Sequence, residues 1–178
     1  MKIGPGRYLI LVLVLVLGGG TLAGCGYHRL GTEPRHLENR RTLAVPLFVN
    51  RSTEIGLESI FANALIANIS RSQIARVTNV TSEADVVLEG KIFAVEYSAV
   101  AMLSITKSLV RRISIRVELI LRQKPGGKVL WKENNLIQED YVIANNNYQQ
   151  GEAEKGLSLR RAADEMARRT VDKLALLL

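Results

Sequence analysis

The stretch "SLVRRISIRVELILRQKPGGKVLWKENNLIQEDYV", residues 108–142, decides the fold. In residues 108–123 apolar and polar side chains alternate almost strictly. A period of two predicts a β-strand with one face on a core and one polar face. "KPGGK", residues 124–128, is a tight turn, and residues 129–142 return as the antiparallel partner. The stretch therefore predicts a long β-hairpin with one apolar face.

The two sides of this hairpin differ in chemistry. The apolar side of the first strand carries Leu109, Arg111, Ile113, Ile115, Val117, Leu119 and Leu121. The polar side carries Arg112, Ser114, Arg116, Glu118 and Arg122, with Lys132 and Glu133 as candidates on the next strand. Arg111 is the exception on the apolar side, and we expect it to lie beyond the edge of the covering helices.

The residues before the hairpin predict a strand, a helix and further strands. "TLAVPLFVN", 42–50, is a short apolar strand in which Pro46 indicates an edge or a bulge. Apolar residues at spacings of three and four predict an amphipathic helix over 55–70. Its N-cap is expected to be Ser52 or Thr53.

The next segments complete the sheet and the second helix. A short strand is predicted near 77–80, and a long strand over 84–100 with a twist or bulge near Gly90. Its alternation places Val86, Leu88, Gly90, Ile92 and Ala94 on one face and Val87, Glu89, Lys91, Phe93 and Val95 on the other.

The remaining segments are two connections and a helix. "AMLSITK", 101–107, reads as an unusually apolar connection, and 144–151 as a polar loop. A final helix is predicted over 152–178. Each helix has one apolar stripe, and the sheet has one apolar face. This combination predicts an α+β two-layer sandwich. It has a mostly antiparallel or mixed sheet of about four strands, with both helices on one face.

The amino terminus has the three-part layout of a secretory signal peptide. Lys2 and Arg7 precede an apolar run of ten residues, 8–17, and small residues follow. A membrane-spanning helix needs about 20 apolar residues, so this run is too short to span a bilayer. We predict a signal peptide at 1–24, a tether at 25–41 and one domain at 42–178.

The only cysteine, Cys25, closes the sequence "LAGC", residues 22–25. This sequence resembles the lipobox of bacterial lipoproteins, in which the cysteine receives a diacylglycerol on sulfur and an acyl chain, such as palmitate, on its new amino terminus. Two or more acyl chains anchor a protein stably. The alternative is a chance run of small residues with a free thiol. Gly26, by resemblance to lipoprotein sorting in Gram-negative bacteria, points to the outer membrane and its inner leaflet.

Charge and residue types exclude several functions. The chain carries 24 basic and 17 acidic side chains, a formal charge of +7. A basic domain outside the cytoplasm is expected to meet anionic lipid or an acidic protein surface, and no nucleic acid. We predict no catalytic residues, no metal site and no cofactor beyond the covalent lipid on Cys25. His28 and His36 lie in the tether, where their role stays open.

The sequence resembles the LptE family, the lipoprotein partner of the outer-membrane lipopolysaccharide translocon. The resemblance rests on "GCGYH", 24–28, on "LAVPLFVNRS", 43–52, with the "GLE" that follows at 56–58, and on "ADVVLEGKI", 84–92. The strand from Trp131 to Tyr141 and the final helix complete the order of elements. The match covers nearly all of the mature chain.

The resemblance implies a function and a partner. LptE proteins plug the lumen of the LptD β-barrel in a one-to-one complex, help it to assemble, and help to insert lipopolysaccharide into the outer leaflet; some bind lipopolysaccharide directly. Such proteins are not enzymes. The basic residues near the apolar connection are our candidates for lipopolysaccharide contact, because Arg pairs bidentately with phosphate: Lys107, Arg111, Arg112 and Arg116. Ordinary sheet solvation, or ion pairs with the barrel wall, would explain the same residues.

A second resemblance gives the alternative. The strand "LAVPLFVN", 43–50, is also similar to the first strand of periplasmic lipoproteins of the CsgG and LpoB type, which form a secretion pore or activate peptidoglycan synthases. A pore-former needs a membrane-inserting hairpin, and residues 101–107 are too short for one. A synthase activator usually has a long tether, whereas the tether predicted here, residues 26–41, is short. A plug needs little tether, so the LptE interpretation is preferred.

Overall fold

The computed structural model describes residues 40–104, 107–143 and 148–178, and the side chains of 40–102, 110–143 and 149–178. The predicted signal peptide, Cys25 and almost all of the tether lie outside these residues. The helices and strands are β1 (Thr42–Ala44), β2 (Val49–Asn50), α1 (Leu57–Ser72), β3 (Arg76–Thr78), β4 (Val86–Ser104), β5 (Lys107–Gln123), β6 (Val129–Val142) and α2 (Tyr148–Leu174), with one 3₁₀ turn, Thr81–Glu83. No helix among these residues is both long enough and apolar enough to cross a membrane.

The sheet is mixed, and its strands lie in the order β3-β1-β4-β5-β6. β1 and β2 pair with the same edge of β4 in parallel, at Val86–Val87 and at Lys91–Ile92. β4, β5 and β6 form an antiparallel meander. The α+β class is confirmed, but the sheet has six strands where about four were expected. The extra strands arise because the segment 42–50 is interrupted around Pro46 and because β3 pairs with β1.

Both helices bury their apolar stripes against one face of the sheet, which we call the inner face. The inner face of β5 is covered from Ile113 to Leu121, since Ile113, Ile115 and Leu119 have no solvent exposure. Burying one such side chain contributes about 1.5–3 kcal/mol. The helical side chains in this core are Leu57, Phe61, Leu65, Ile69, Leu159, Ala163, Met166 and Leu174.

One polar bridge joins the two helices inside this layer. The Asn68 side-chain amide donates to the Ala64 carbonyl at 2.9 Å and to Asp164 Oδ1 at 2.8 Å. Asn68 is only 6% exposed, so a side chain that failed to form these bonds would destabilise the fold. Asp164 also pairs with Arg168, one turn later on α2, as the charge spacing of this helix predicts.

The predicted irregularity near Gly90 is in fact two separate features. Gly90 lies in regular pairing with Leu119, and its lack of a side chain makes room for the buried Phe48 ring. A Cβ atom at position 90 would lie 2.2 Å from that ring. The register shift comes later, between Ile92 and Ala94, where Phe93 is inserted opposite the Val117–Arg116 step of β5. The prediction of a bulge was therefore right in kind and wrong in position.

The inserted residue exchanges the two faces of β4 as far as Ala99, after which further register shifts follow. Ala94 lies opposite Arg116 and Val95 opposite Ile115. The predicted faces of Ala94 and Val95 are therefore wrong, because the period of two restarts after a bulge. Val95 and Tyr97 pack against the core as a result.

The apolar segment 101–107 is mostly strand, so its prediction as a connection is wrong. β4 continues to Ser104, and β5 begins at Lys107. β6 ends at Val142, opposite Val110, so the end of the β4–β5 ribbon is two-stranded. β-branched and apolar residues suit such pairing better than a loop. Val100 and Met102 on this ribbon are about half exposed.

Both helix starts differ from the prediction. The N-cap of α1 is Gly56, in the left-handed region at φ 88°, while the Ser52 hydroxyl donates to Asn50 Oδ1 at 2.7 Å. The Asn50 amide in turn donates to Glu58 Oε2 at 2.8 Å. Helix α2 begins at Tyr148, so residues 148–151 of the predicted polar loop are helical. Residues 144–147 of that loop lie outside the described residues.

Candidate functional site

The sheet face opposite the helices, which we call the outer face, is the largest uncovered surface that carries the predicted site residues. Cross-strand rows of three residues cross β4, β5 and β6 on this face. From the tip of the β4–β5 ribbon toward the β5–β6 turn these rows are Ser98–Arg112–Asp140, Glu96–Ser114–Gln138, Ala94–Arg116–Leu136, Lys91–Glu118–Asn134 and Glu89–Ile120–Lys132. Neither helix covers it, because both pack on the inner face.

Ion pairs neutralise most of the charge on the outer face. Arg112 binds Asp140 through two bonds, Nε to Oδ1 at 2.7 Å and Nη2 to Oδ2 at 2.9 Å. Three further pairs follow along the strands: Arg116–Glu96 at 2.5 Å, Arg122–Glu89 at 3.0 Å and Lys132–Glu118 at 2.5 Å. The Lys91 ammonium lies 4.8 Å from the centre of the Phe93 ring. The face expected to be basic is therefore close to balanced in charge.

The Arg112–Asp140 pair, with its two hydrogen bonds, lies nearest the tip of the β4–β5 ribbon. The hydrogen bonds from Arg112 hold the pKa of the Asp140 carboxyl below its usual range. The same bonds, together with the carboxylate charge, raise the pKa of Arg112. Both side chains are about two-fifths exposed, so solvent screens the pair and its contribution to stability is small.

Apolar side chains interrupt the charges on the outer face. Leu136 is 58% exposed, and with Phe93, Ala94 and the stem of Arg116 it lines a shallow cavity of about 490 Å³. A second cavity of about 390 Å³ lies beside it, lined by Leu47, Val49 and Ile120 with Glu89 and Lys91. Large exposed apolar side chains between paired charges are typical of a surface that meets another protein.

The four candidates for lipopolysaccharide contact do not form one cluster. Arg112 and Arg116 lie on the outer face, each already paired with a carboxylate. Arg111 lies on the other side of β5, opposite Ala99 and Tyr141, and it is exposed although Ile113 is fully buried. The helices thus stop covering the inner face between these two residues. Among the described side chains Arg111 has no ion pair.

Several predicted site residues fall where the structure gives no side-chain placement. The side chain of Lys107, and Cys25, His28 and His36 altogether, lie outside the described residues. Glu133 is described, and its predicted place on the outer face is wrong. It lies opposite Leu119 on the inner side of β6, where it pairs with Lys173 of α2.

Three residues of the outer face were not predicted to lie there: Asp140, Glu96 and Leu136. Asp140 and Glu96 are ordinary surface residues until the strand register brings them beside Arg112 and Arg116. Leu136 occupies a position of β6 where the alternation predicts a polar side chain. This mismatch is the sequence signal for an exposed apolar residue. Phe93 was correctly placed on this face together with Lys91, its contact there.

One partly buried titratable cluster lies on the inner side, near the start of α2. Tyr97 Oη donates to Glu54 Oε1 at 2.5 Å, and burial, followed by this bond, raises the pKa of Tyr97. Lys155 pairs with Glu54 at 3.4 Å and Glu152 at 3.1 Å. Burial alone would lower the pKa of Lys155, but these carboxylates raise it. The cluster ties β4, α2 and the segment before α1 together, and it offers no nucleophile.

Metal-ligating side chains do not cluster in the part of the chain that is described. Across residues 40–104, 107–143 and 148–178, no group of three or more His, Cys, Asp or Glu side chains lies close enough together to hold a metal ion.

Comparisons with known proteins identify relatives of this fold. The model of the LptE family, described as lipopolysaccharide-assembly, matches residues 40–174. The rare lipoprotein B from Shewanella oneidensis has a similar structure, with a TM-score of 0.50, 15% identity and coverage of 75% of this chain and 93% of that one. The protein CT253 from Chlamydia trachomatis aligns with a TM-score of 0.53, 12% identity and coverage of 74% and 96%. No curated protein matches the sequence.

Proposed function

Because the chain belongs to the LptE lipopolysaccharide-assembly family, we propose that it plugs the LptD β-barrel and helps it to assemble, and so assists the insertion of lipopolysaccharide into the outer leaflet. The match of the family model over residues 40–174 carries this proposal. The protein acts in a one-to-one complex and performs no catalysis. The alternative of the CsgG and LpoB type rests on the resemblance of the strand 43–50, and the family match weighs against it.

The outer face has the composition that a barrel lumen requires. The lumen of such barrels is polar, and a plug facing it needs charges that do not stay unpaired after contact. The four ion pairs of the outer face meet this condition, because each charge enters the contact already compensated. Leu136 and Phe93 supply exposed apolar area between them. We therefore assign the outer face to the barrel wall.

We further propose that Cys25 carries the membrane anchor. Diacylglycerol on its sulfur and an acyl chain such as palmitate on its nitrogen would hold the protein to the inner leaflet of the outer membrane, with its domain on the periplasmic side, inside the lumen of its barrel. Anchoring by several chains is stable, whereas one chain alone is marginal. The signal peptide over residues 1–24 would direct export and be removed before Cys25.

Co-purification from outer membranes tests the proposal. Full-length protein with a carboxyl-terminal tag should recover one large β-barrel protein in a one-to-one ratio. A free monomer or a ring of identical copies would contradict the plug and support the alternative. Cys25→Ala should leave the outer-membrane fraction, whereas Tyr27→Ala, two residues along the tether, should remain there. Membrane retention of Cys25→Ala would overturn the anchor.

Direct binding of lipopolysaccharide is the finer part of the proposal. Arg111 is its first candidate, because it is exposed and has no carboxylate partner among the described side chains. Arg112 and Arg116 would have to leave their carboxylate partners in order to bind a phosphate. Lys107, the remaining candidate, is the first residue of the same strand. Arg111→Gln should weaken binding of purified lipopolysaccharide more than Arg112→Gln, the matched change on the other face. Equal effects of both changes, or none, would contradict this assignment.

A further inference from the structure

A cationic pocket lies at the end of the sheet beside the β5–β6 turn, away from the tip of the β4–β5 ribbon. Its volume is about 410 Å³. It is lined by Arg40, Arg41, Arg76, Asp85, Val86, Gln123 and Lys124. Backbone pairing holds its walls in place: the Arg76 amide donates to the Arg41 carbonyl at 3.1 Å, and the Lys124 amide donates to the Asp85 carbonyl at 2.8 Å. The pocket is therefore built from the ends of four strands, β1, β3, β4 and β5, and the turn that follows β5.

The single carboxylate in the pocket is already occupied. Asp85 Oδ2 accepts hydrogen bonds from the Thr42 amide and from the Thr42 hydroxyl, both at 2.7 Å. The Thr42 amide bond, then the hydroxyl bond, hold the pKa of Asp85 below its usual range, and the charges of Arg41 and Arg76 add to this effect. Asp85 thus fixes the start of β1 and stays ionised at neutral pH.

The basic groups of the pocket exceed its acidic groups. Arg41, Arg76 and Lys124 are exposed, and among the described residues none of them forms an ion pair within 4.0 Å. The nearest further acid in sequence, Glu83, contributes its backbone carbonyl to Thr42. On the outer face every arginine is matched with a carboxylate, so the excess of positive charge is a property of this end of the sheet.

We propose that this pocket binds the phosphate group of a membrane phospholipid. Two guanidinium groups can each bind phosphate oxygens through paired N–H donors, and the lysine adds a compact charge. The lining is polar, so it accepts a head group and leaves the acyl chains outside. A pocket of this volume lies within the range of small-ligand sites.

The position of the pocket in the chain favours a lipid over a soluble phosphate. Arg40 and Arg41 open the domain, and Arg40 follows Cys25 by 15 residues. That length of chain reaches at most about 50 Å, whatever its conformation. If Cys25 is the lipid anchor, as proposed above, the pocket is confined near a surface that is rich in phosphate, where basic residues gain from the negative surface potential.

Binding measurements on the lipidated full-length protein in non-ionic detergent test this site. The probes are dihexanoyl-phosphatidylglycerol, inorganic phosphate and purified lipopolysaccharide. The pocket variant carries Arg76→Gln with Lys124→Gln. The control variant carries Arg51→Gln with Arg160→Gln, two exposed arginines outside the pocket, and it changes the net charge by the same amount.

We expect the pocket variant to bind the short-chain phosphatidylglycerol roughly tenfold more weakly, the loss of two partly exposed charge-assisted contacts, and the control variant to bind like the unmodified protein. Equal binding by both variants would overturn the site. Inorganic phosphate binding as tightly as the lipid would overturn the lipid assignment. Lipopolysaccharide losing the same tenfold would make the pocket a lipopolysaccharide site instead.

Co-purification with the barrel separates this inference from the proposed function. The pocket variant should recover the barrel in the usual one-to-one ratio, because its substitutions lie outside the outer face. Loss of lipid binding with intact co-purification supports the pocket and leaves the plug untouched. If the unmodified protein recovers no barrel partner, the proposed plug function is wrong. The lipid-binding measurement on the pocket would still stand, because it does not involve the barrel.

Discussion

Neighbouring residues of β5 meet opposite surroundings. On the inner face Ile113 and Ile115 are fully buried under the helices, whereas one position along, on the outer face, Arg112 and Arg116 lie in exposed ion pairs. Burial of apolar area is worth several times more than an exposed ion pair. The inner face therefore determines whether the domain folds, and the outer face is free to be shaped by a partner.

The largest expected effect tests this division directly. Ile115→Ala should lower the free energy of unfolding by about 3 kcal/mol, since it removes buried methyl groups and leaves a cavity. Arg116→Ala, the adjacent residue, should change it by no more than about 0.5 kcal/mol. Denaturant unfolding followed by the fluorescence of Trp131, the only tryptophan, measures both. Similar losses for the two variants would break the comparison.

A second test concerns the close approach of Gly90 to Phe48 beneath the inner face. Gly90→Ala should cost about 1–3 kcal/mol of stability, because the new methyl group overlaps the Phe48 ring. Combining it with Phe48→Leu should show a coupling of at least about 1 kcal/mol in a double-mutant cycle. Gly156→Ala in α2 is the control: nothing lies within 4 Å, so it should be neutral or stabilising. Additive effects of the pair would refute the packing explanation.

A third test asks whether the outer face works through a partner. Leu136→Glu should leave the free energy of unfolding within about 0.5 kcal/mol, yet reduce recovery of the barrel in co-purification. Ile55→Glu places the same charge on an apolar residue that is 96% exposed and lies outside the outer face. It should not reduce recovery. If both variants recover the barrel fully, the outer face is not the barrel contact.

The smallest effect is the pH dependence of the Arg112–Asp140 pair. The folded-state pKa of Asp140 is lowered, so the pair stabilises the fold above the unfolded-state pKa and loses this contribution as the pH falls through the folded-state value. The unmodified protein should lose slightly more stability than Asp140→Asn between about pH 5 and pH 2. High salt should reduce the difference. A larger loss of stability for Asp140→Asn would mean that the pair does not stabilise the fold.

Periodicity in the sequence predicted the inner face well. The alternation in 108–142 placed Ile113 and Ile115 in the core, and the helical spacing predicted the apolar stripes by which both helices pack there. These predictions succeeded because a buried face repeats its chemistry at the period of the element that carries it. The same reasoning identified the α+β class and the long hairpin.

Other features depend on contacts that a linear pattern does not contain. The insertion of Phe93 shifts the register, and no Gly or Pro at the insertion itself marks this in the sequence. Ala94 and Val95 were therefore assigned to the wrong faces. The carboxylates that pair with Arg112 and Arg116 come from other strands, and the register decides which ones meet. Segment 101–107 was judged by its position between strands, although its composition suits a strand.

The single extra residue at Phe93 also constrains how this protein can change in evolution. From Ala94 to Ala99, before the next register shift, every position of β4 owes its face to a count of residues from that point. Losing or gaining one residue in the following stretch of β4 would turn Val95 and Tyr97 outward and bring Glu96 under the helices. Losing or gaining two would preserve the faces of these positions and alter the cross-strand partners and the reach of the ribbon. Tolerated length changes in this arm should therefore come in even numbers.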